Sequence, residues 1–225
     1  MSWNYYEARQ KARCHMILIE LKNISKEIKR IEVLKNINIS FESGTIYGLK
    51  GKNGSGKTML MRMISGLIIP TRGEVIINGE VLHKDISFPK SIGVLIENPA
   101  FLPDYTGLDN LKVLADLSNI SISDVLAAIV KCGLNPDDKR TFKKYSLGMK
   151  QKLGIANAIM GEPDIIILDE PINALDEESV EKIKEELIRL RDLGKLIILA
   201  CHDREELEYL SDEIIEIRDG EIINR

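Results

Sequence analysis

The stretch "GKNGSGKT", Gly51 to Thr58, is the densest concentration of chemistry in the chain. It meets the pattern G-x-x-x-x-G-K-[ST] through Gly51, Gly56, Lys57 and Thr58. Glycines let a backbone wrap closely, so successive N–H groups of Gly51, Lys52, Asn53, Gly54, Ser55 and Gly56 can converge on one anion. The positive end of a following helix would face the same point. Lys57 would add a full charge for β- and γ-phosphates, and the Thr58 hydroxyl is a hard oxygen donor for Mg²⁺. A second constellation is "IIILDE", where Asp169 and Glu170 follow a run of apolar residues. Two carboxylates at a buried strand end repel each other unless a cation lies between them. Asp169 is therefore expected to hold Mg²⁺, through water, and Glu170 to act as a base. The bland alternatives are a plain strand-to-helix turn and a strand-end acid capping a turn.

Elements of the right kind flank these residues. "TIYGLK" reads as a buried strand feeding the glycine loop, and Thr58 to Gly66 as a helix. Ile17–Lys22 and Asn36–Glu42 alternate as half-buried strands. "GEVIINGEVL" is a hairpin turning at Asn78-Gly79. "SIGVLIE" is a core strand ending at Glu97. Leu108–Cys132 is largely helical, and a second helix spans Leu147–Met160. "DIIILDE" and "KLIILACH" read as central parallel strands, because runs apolar throughout suit burial on both faces. Glu177–Asp192 is an amphipathic helix, and "DEIIEIRDGEIINR" a terminal hairpin. Strand and helix alternate, so the expected fold is α/β: a parallel-sheet core, an N-terminal antiparallel β subdomain, and an α-helical subdomain inserted at about residues 98–160.

Composition narrows the function. The chain has 225 residues, 44% hydrophobic and 29% charged, with a net charge of −4. Lysines scattered among acids give no basic stripe, so no nucleic-acid partner is expected. No apolar run approaches the roughly 20 residues that span a bilayer, so a membrane role would come through a partner. Cys14, Cys132 and Cys201 lack metal-ligand spacing and are expected to be reduced thiols in the cytoplasm. "MSWNYYEARQKARCHM" lacks the apolar core of a signal peptide. Residues 1–15 read as a cloning remnant or a loosely ordered extension, with residues 16–225 the folded domain.

Further motifs carry a resemblance. "YSLGMKQKLGIANA" is similar to the signature motif of ABC ATPases and precedes "IIILDEP" at their interval. "INALD" at Ile172–Asp176 looks like their D-loop, and His202 like their switch histidine. The resemblance covers nearly all of residues 16–225. It implies ATP and Mg²⁺, and a head-to-tail dimer, of identical or paired ATPase subunits, that sandwiches each ATP between one glycine loop and the other subunit's signature. Ser146 and Gly148 would then meet a γ-phosphate arriving from the partner, and His202 would bond that phosphate and the attacking water.

Three positions depart from the family pattern. Tyr145-Ser146-Leu147-Gly148-Met149 stands for L-S-G-G-Q, so the glutamine contact is missing. Glu97 stands where the family usually has a glutamine; its carboxylate could still meet Mg²⁺ or the water, but it adds negative charge beside the phosphates. Ile28 stands where an aromatic stacks on adenine. "IGVLIENPAFLPDYTGLDNL" together with the signature looks most like ATP-binding subunits of exporters for bacitracin and lantibiotic-type peptides. The implied protein is a cytoplasmic ATPase, peripheral on the inner face of the membrane and docked on integral permease subunits. The rivals are a soluble ABC ATPase unconnected to transport and a non-hydrolysing nucleotide-binding regulatory module.

Overall fold

A computed structural model describes residues 17–97, 99–201 and 203–225. Residues 1–15 and His202 thus lie outside the described residues. Among the described residues, ten strands and six α-helices follow in chain order. They are β1 (Leu18–Ile28), β2 (Ile31–Glu42), β3 (Ile46–Lys50), α1 (Lys57–Ile64), β4 (Arg72–Ile77), β5 (Glu80–Val81), β6 (Ile92–Leu95), α2 (Gly107–Ser118), α3 (Ile122–Lys131), α4 (Leu147–Ile159), β7 (Ile165–Asp169), α5 (Glu177–Asp192), β8 (Leu196–Ala200), α6 (Arg204–Leu210), β9 (Glu213–Arg218) and β10 (Glu221–Asn224).

The strands form two sheets. One is antiparallel, in the order β2-β1-β4-β5. The other runs β10-β9-β3-β8-β7-β6 and is parallel except for the terminal β10–β9 hairpin. Its central strands are buried on both faces, and alternate residues serve two cores. Ile165, Ile167, Leu196 and Ile198 join α1 and the antiparallel sheet, whose Ile19, Leu21 and Phe41 are buried. Ile166, Leu168, Ile197 and Leu199 join the helical side, with Leu111, Val125, Ile129, Leu153 and Leu187. The continuous isoleucine and leucine runs are thus required by burial on two sides. The α/β class with separate antiparallel and parallel sheets is as the sequence implies.

Three local outcomes differ from the sequence expectation. The helical stretch from Leu108 breaks at Asn119, which caps α2 in the left-handed region at φ 54°. Ser121 restarts the chain by accepting the Asp124 N–H at 3.2 Å. The first hairpin is longer than its alternating pattern. Its strands continue through register shifts to a turn at Lys29-Arg30, with Ile28 opposite Ile31. Finally, "REELEYL" forms α6, with Asp203 accepting the N–H groups of Glu205 and Glu206.

Candidate nucleotide site

The glycine loop joins the end of β3 to the start of α1. Gly56 sits at φ 113°, a conformation side-chain-bearing residues rarely adopt. At Gly51 a Cβ would lie 2.3 Å from the Ile217 carbonyl oxygen and 2.5 Å from Ser55 Oγ, so the loop could not close with any other residue. The Lys57 side chain is buried, and its ammonium donates to the carbonyls of Gly51 at 2.7 Å and Lys52 at 3.2 Å. The buried Ser55 hydroxyl has no hydrogen-bond partner among the described residues. A buried polar atom left unsatisfied within a glycine loop suits an incoming anion.

β7 ends beside this loop. Thr58, in the first turn of α1, donates its hydroxyl to Asp169 Oδ2 at 2.6 Å, across 111 residues of sequence. Asp169 is buried at the strand end, in register with Ala200 of β8. A hydroxyl and a carboxylate meeting at one point are oxygen donors of the kind Mg²⁺ takes, so these residues fit that ion. Glu170 follows in the left-handed region at φ 55°, and its N–H donates to the Ala200 carbonyl at 2.9 Å. A strained residue directly after a carboxylate re-aims the chain out of the sheet, and Glu170 lines the cleft.

Gln151 of α4 holds this turn. It is buried, and its amide donates to the carbonyls of Glu170 at 2.8 Å and Pro171 at 3.1 Å. The sequence reading passed over Gln151. Its signal is a polar residue on the apolar face of α4, four positions before the buried Ile155.

The loop, Asp169, Glu170, Gln151, Val33 and Glu97 line one cavity of about 590 Å³. Glu97 lies beyond the end of β6 at φ 62°, and its carboxylate is ion-paired with Arg62 of α1. Cys201, at the end of β8, has its thiol pushed by burial up to about 11, so it stays protonated and is no nucleophile near pH 7. Ser146 caps α4 by accepting the Met149 N–H at 3.2 Å. A Cβ on Gly148 would lie 2.8 Å from the Ala174 carbonyl oxygen, so this glycine also lets α4 pack against the loop after β7. Among the described residues, the cavity wall includes neither Ser146 nor Gly148.

A parallel sheet with a glycine loop opening a helix at one strand end, and a carboxylate at the end of another, defines a P-loop nucleoside triphosphatase. The family model described as "ABC transporter" matches residues 34–173, more than half of the sequence. The chain belongs to the ABC transporter family, as an ATP-binding subunit with ATPase chemistry. It is 48% identical over 206 residues to an uncharacterized ABC transporter ATP-binding protein, YybJ, of Bacillus subtilis, covering 91% of this chain and 94% of that one. It is 39% identical to the bacitracin transport ATP-binding protein BcrA of Enterococcus faecalis, covering 92% and 68%. A dimeric ATP-binding cassette solved in a post-hydrolysis state with ADP and Pi superposes with a TM-score of 0.84 at 27% identity, covering 92% and 97%.

Proposed function

We propose that this subunit powers export through separate integral membrane permease subunits, working at the cytoplasmic face of the membrane. Resemblance to transport proteins for bacitracin and for lantibiotics supports a peptide-antibiotic class of cargo. The observation that carries the mechanism is the 2.6 Å Thr58–Asp169 contact at the same cavity as Lys57 and Glu170.

In this reading the loop N–H groups and Lys57 bind the β- and γ-phosphates, and Lys57 exchanges its two loop carbonyls for phosphate oxygens. Thr58 and Asp169 hold Mg²⁺, which, once bound, offsets the negative charge of the phosphate oxygens. Glu170 orients water and accepts its proton as the oxygen attacks the γ-phosphorus. The bond to the β-phosphate oxygen breaks, giving ADP and phosphate. His202 supports the γ-phosphate. The helices within about residues 98–160 form a lobe that presents Ser146 and Gly148 to the ATP of a second subunit. Closure on ATP and reopening after hydrolysis would cycle the permease.

The test compares the wild-type protein with Glu170→Gln by ATP titration and phosphate release. Binding is expected to persist while turnover falls by about 10²-fold or more, the scale of a lost acid–base group. Undiminished turnover in the variant, or no ATP binding by the wild type, would refute the assignment.

A further inference from the structure

Three carboxylates, Glu97, Asp169 and Glu170, face one cavity whose wall holds the buried cation Lys57. Asp169 is engaged by Thr58, and Glu170 stands on a backbone held by Gln151 and Ala200. Glu97 differs from both. Its side chain is 63% exposed, it sits at the rim, and its partner Arg62 comes from the last turn of the helix that begins with Lys57. A triphosphate brings several more negative charges into the cleft, and an uncompensated third carboxylate would repel it.

We propose that Arg62 is a positioning and charge-compensating residue for nucleotide binding: it holds Glu97 at the rim and neutralises it, so that the cleft admits a γ-phosphate. The inference rests on the reading of the cavity as the ATP site. It makes positions 62 and 97 a functional pair, with the arginine needed because the acid is there. The left-handed backbone at Glu97 fits this, since it turns the side chain away from the line of β6 and toward α1. The pair is partly solvated, which keeps the expected effect moderate and sensitive to salt.

The experiment measures ADP and a non-hydrolysable ATP analogue by displacement of a fluorescent nucleotide. It compares wild type, Arg62→Met, Arg62→Lys, Glu97→Gln and the Arg62→Met/Glu97→Gln pair. Arg62→Met keeps the aliphatic stem and is expected to weaken the triphosphate about fivefold, the upper scale of a partly exposed ion pair, and ADP much less. Glu97→Gln frees the Arg62 charge and is expected to tighten the triphosphate. The double variant should return near wild type, Arg62→Lys should bind like wild type, and all differences should shrink in about 0.5 M salt. A structural role for Arg62 would move both nucleotides together and would not be rescued by Glu97→Gln; either result overturns the proposal. Should Arg62→Met fail to fold, Glu97→Gln alone decides, because unchanged or weakened triphosphate affinity refutes the pair. A wild type that binds neither nucleotide would instead overturn the functional reading itself.

Discussion

Gln151→Leu separates the positioning of Glu170 from the binding of phosphate. Leucine keeps nearly the same volume on the buried face of α4 but removes both donors. The Pro171 carbonyl then loses its bond of 3.1 Å, and the Glu170 carbonyl loses its bond of 2.8 Å while keeping the longer contact from Asn173 N–H at 3.4 Å. Leaving a buried acceptor unpaired costs about 1–3 kcal/mol. For a chain of this size that corresponds to a fall in Tm of roughly 2–12 °C, at about 2–4 °C per kcal/mol. The larger consequence is geometric. Glu170 occupies a left-handed conformation, and without Gln151 the turn is free to relax. A displacement of about 1 Å in a reacting group costs on the order of 10²-fold in rate. The glycine loop is untouched, so ATP affinity should stay close to wild type. Phosphate release and nucleotide titration on one preparation, with a thermal melt as control, read all three quantities. A folded variant with wild-type turnover would show that the Gln151 bonds do not set the position of Glu170. Parallel loss of ATP binding would show that Gln151 supports the whole cleft instead.

In a Glu170→Gln background, light scattering should detect an ATP-dependent dimer. Adding Ser146→Arg places a bulky side chain at the head of α4 and removes its cap, and should abolish that dimer while monomer nucleotide binding survives; undiminished dimerisation would argue against a composite site. A pH effect is expected at Glu162. Burial pushes its carboxyl up, but bonds from Lys131 at 3.0 Å and Arg189 at 2.6 Å outweigh this and hold it below the ordinary 4.5. A depressed carboxyl stabilises the fold above its unfolded value, and that contribution is lost as pH falls through the folded one. Melts between about pH 6 and pH 3 should show a smaller acid loss in Glu162→Gln than in wild type; identical slopes would remove this group from the acid response.

Much of this was legible in the sequence, for physical reasons. Runs such as "IIIL" and "LIILA" can be satisfied only by burial on both faces, so the central strands announced themselves. The glycine loop was legible because its spacing is dictated by the backbone path around an anion. Asp169 and Thr58 were each legible as Mg²⁺ donors, because two acids ending a buried strand need a cation, whereas their direct contact is visible only in the fold. What stayed hidden depends on side chains meeting across elements. Gln151 matters because Glu170 turns left-handed, and nothing in "LDEP" declares that angle. Arg62 and Glu97 are charges 35 residues apart, and either alone reads as a solvated surface group. The break at Asn119 could have been read, since an asparagine followed by Ser121, with Asp124 three positions beyond that serine, is a stop and a start.

The order of strands in the parallel sheet has a consequence for synthesis. β3, which delivers the glycine loop, lies between β8 and β9, both contributed by the last third of the chain. As the polypeptide leaves the ribosome, "IYGLK" appears early and must wait for both of its neighbours. At roughly 5–20 residues per second, the interval before residues 213–218 emerge lasts on the order of ten seconds or more. Throughout that time an apolar strand has unpaired edges, and the cleft does not exist. Fragments ending before β9 are expected to be aggregation-prone and unable to retain nucleotide, so ATP becomes a ligand only once residues 213–218 have joined the sheet.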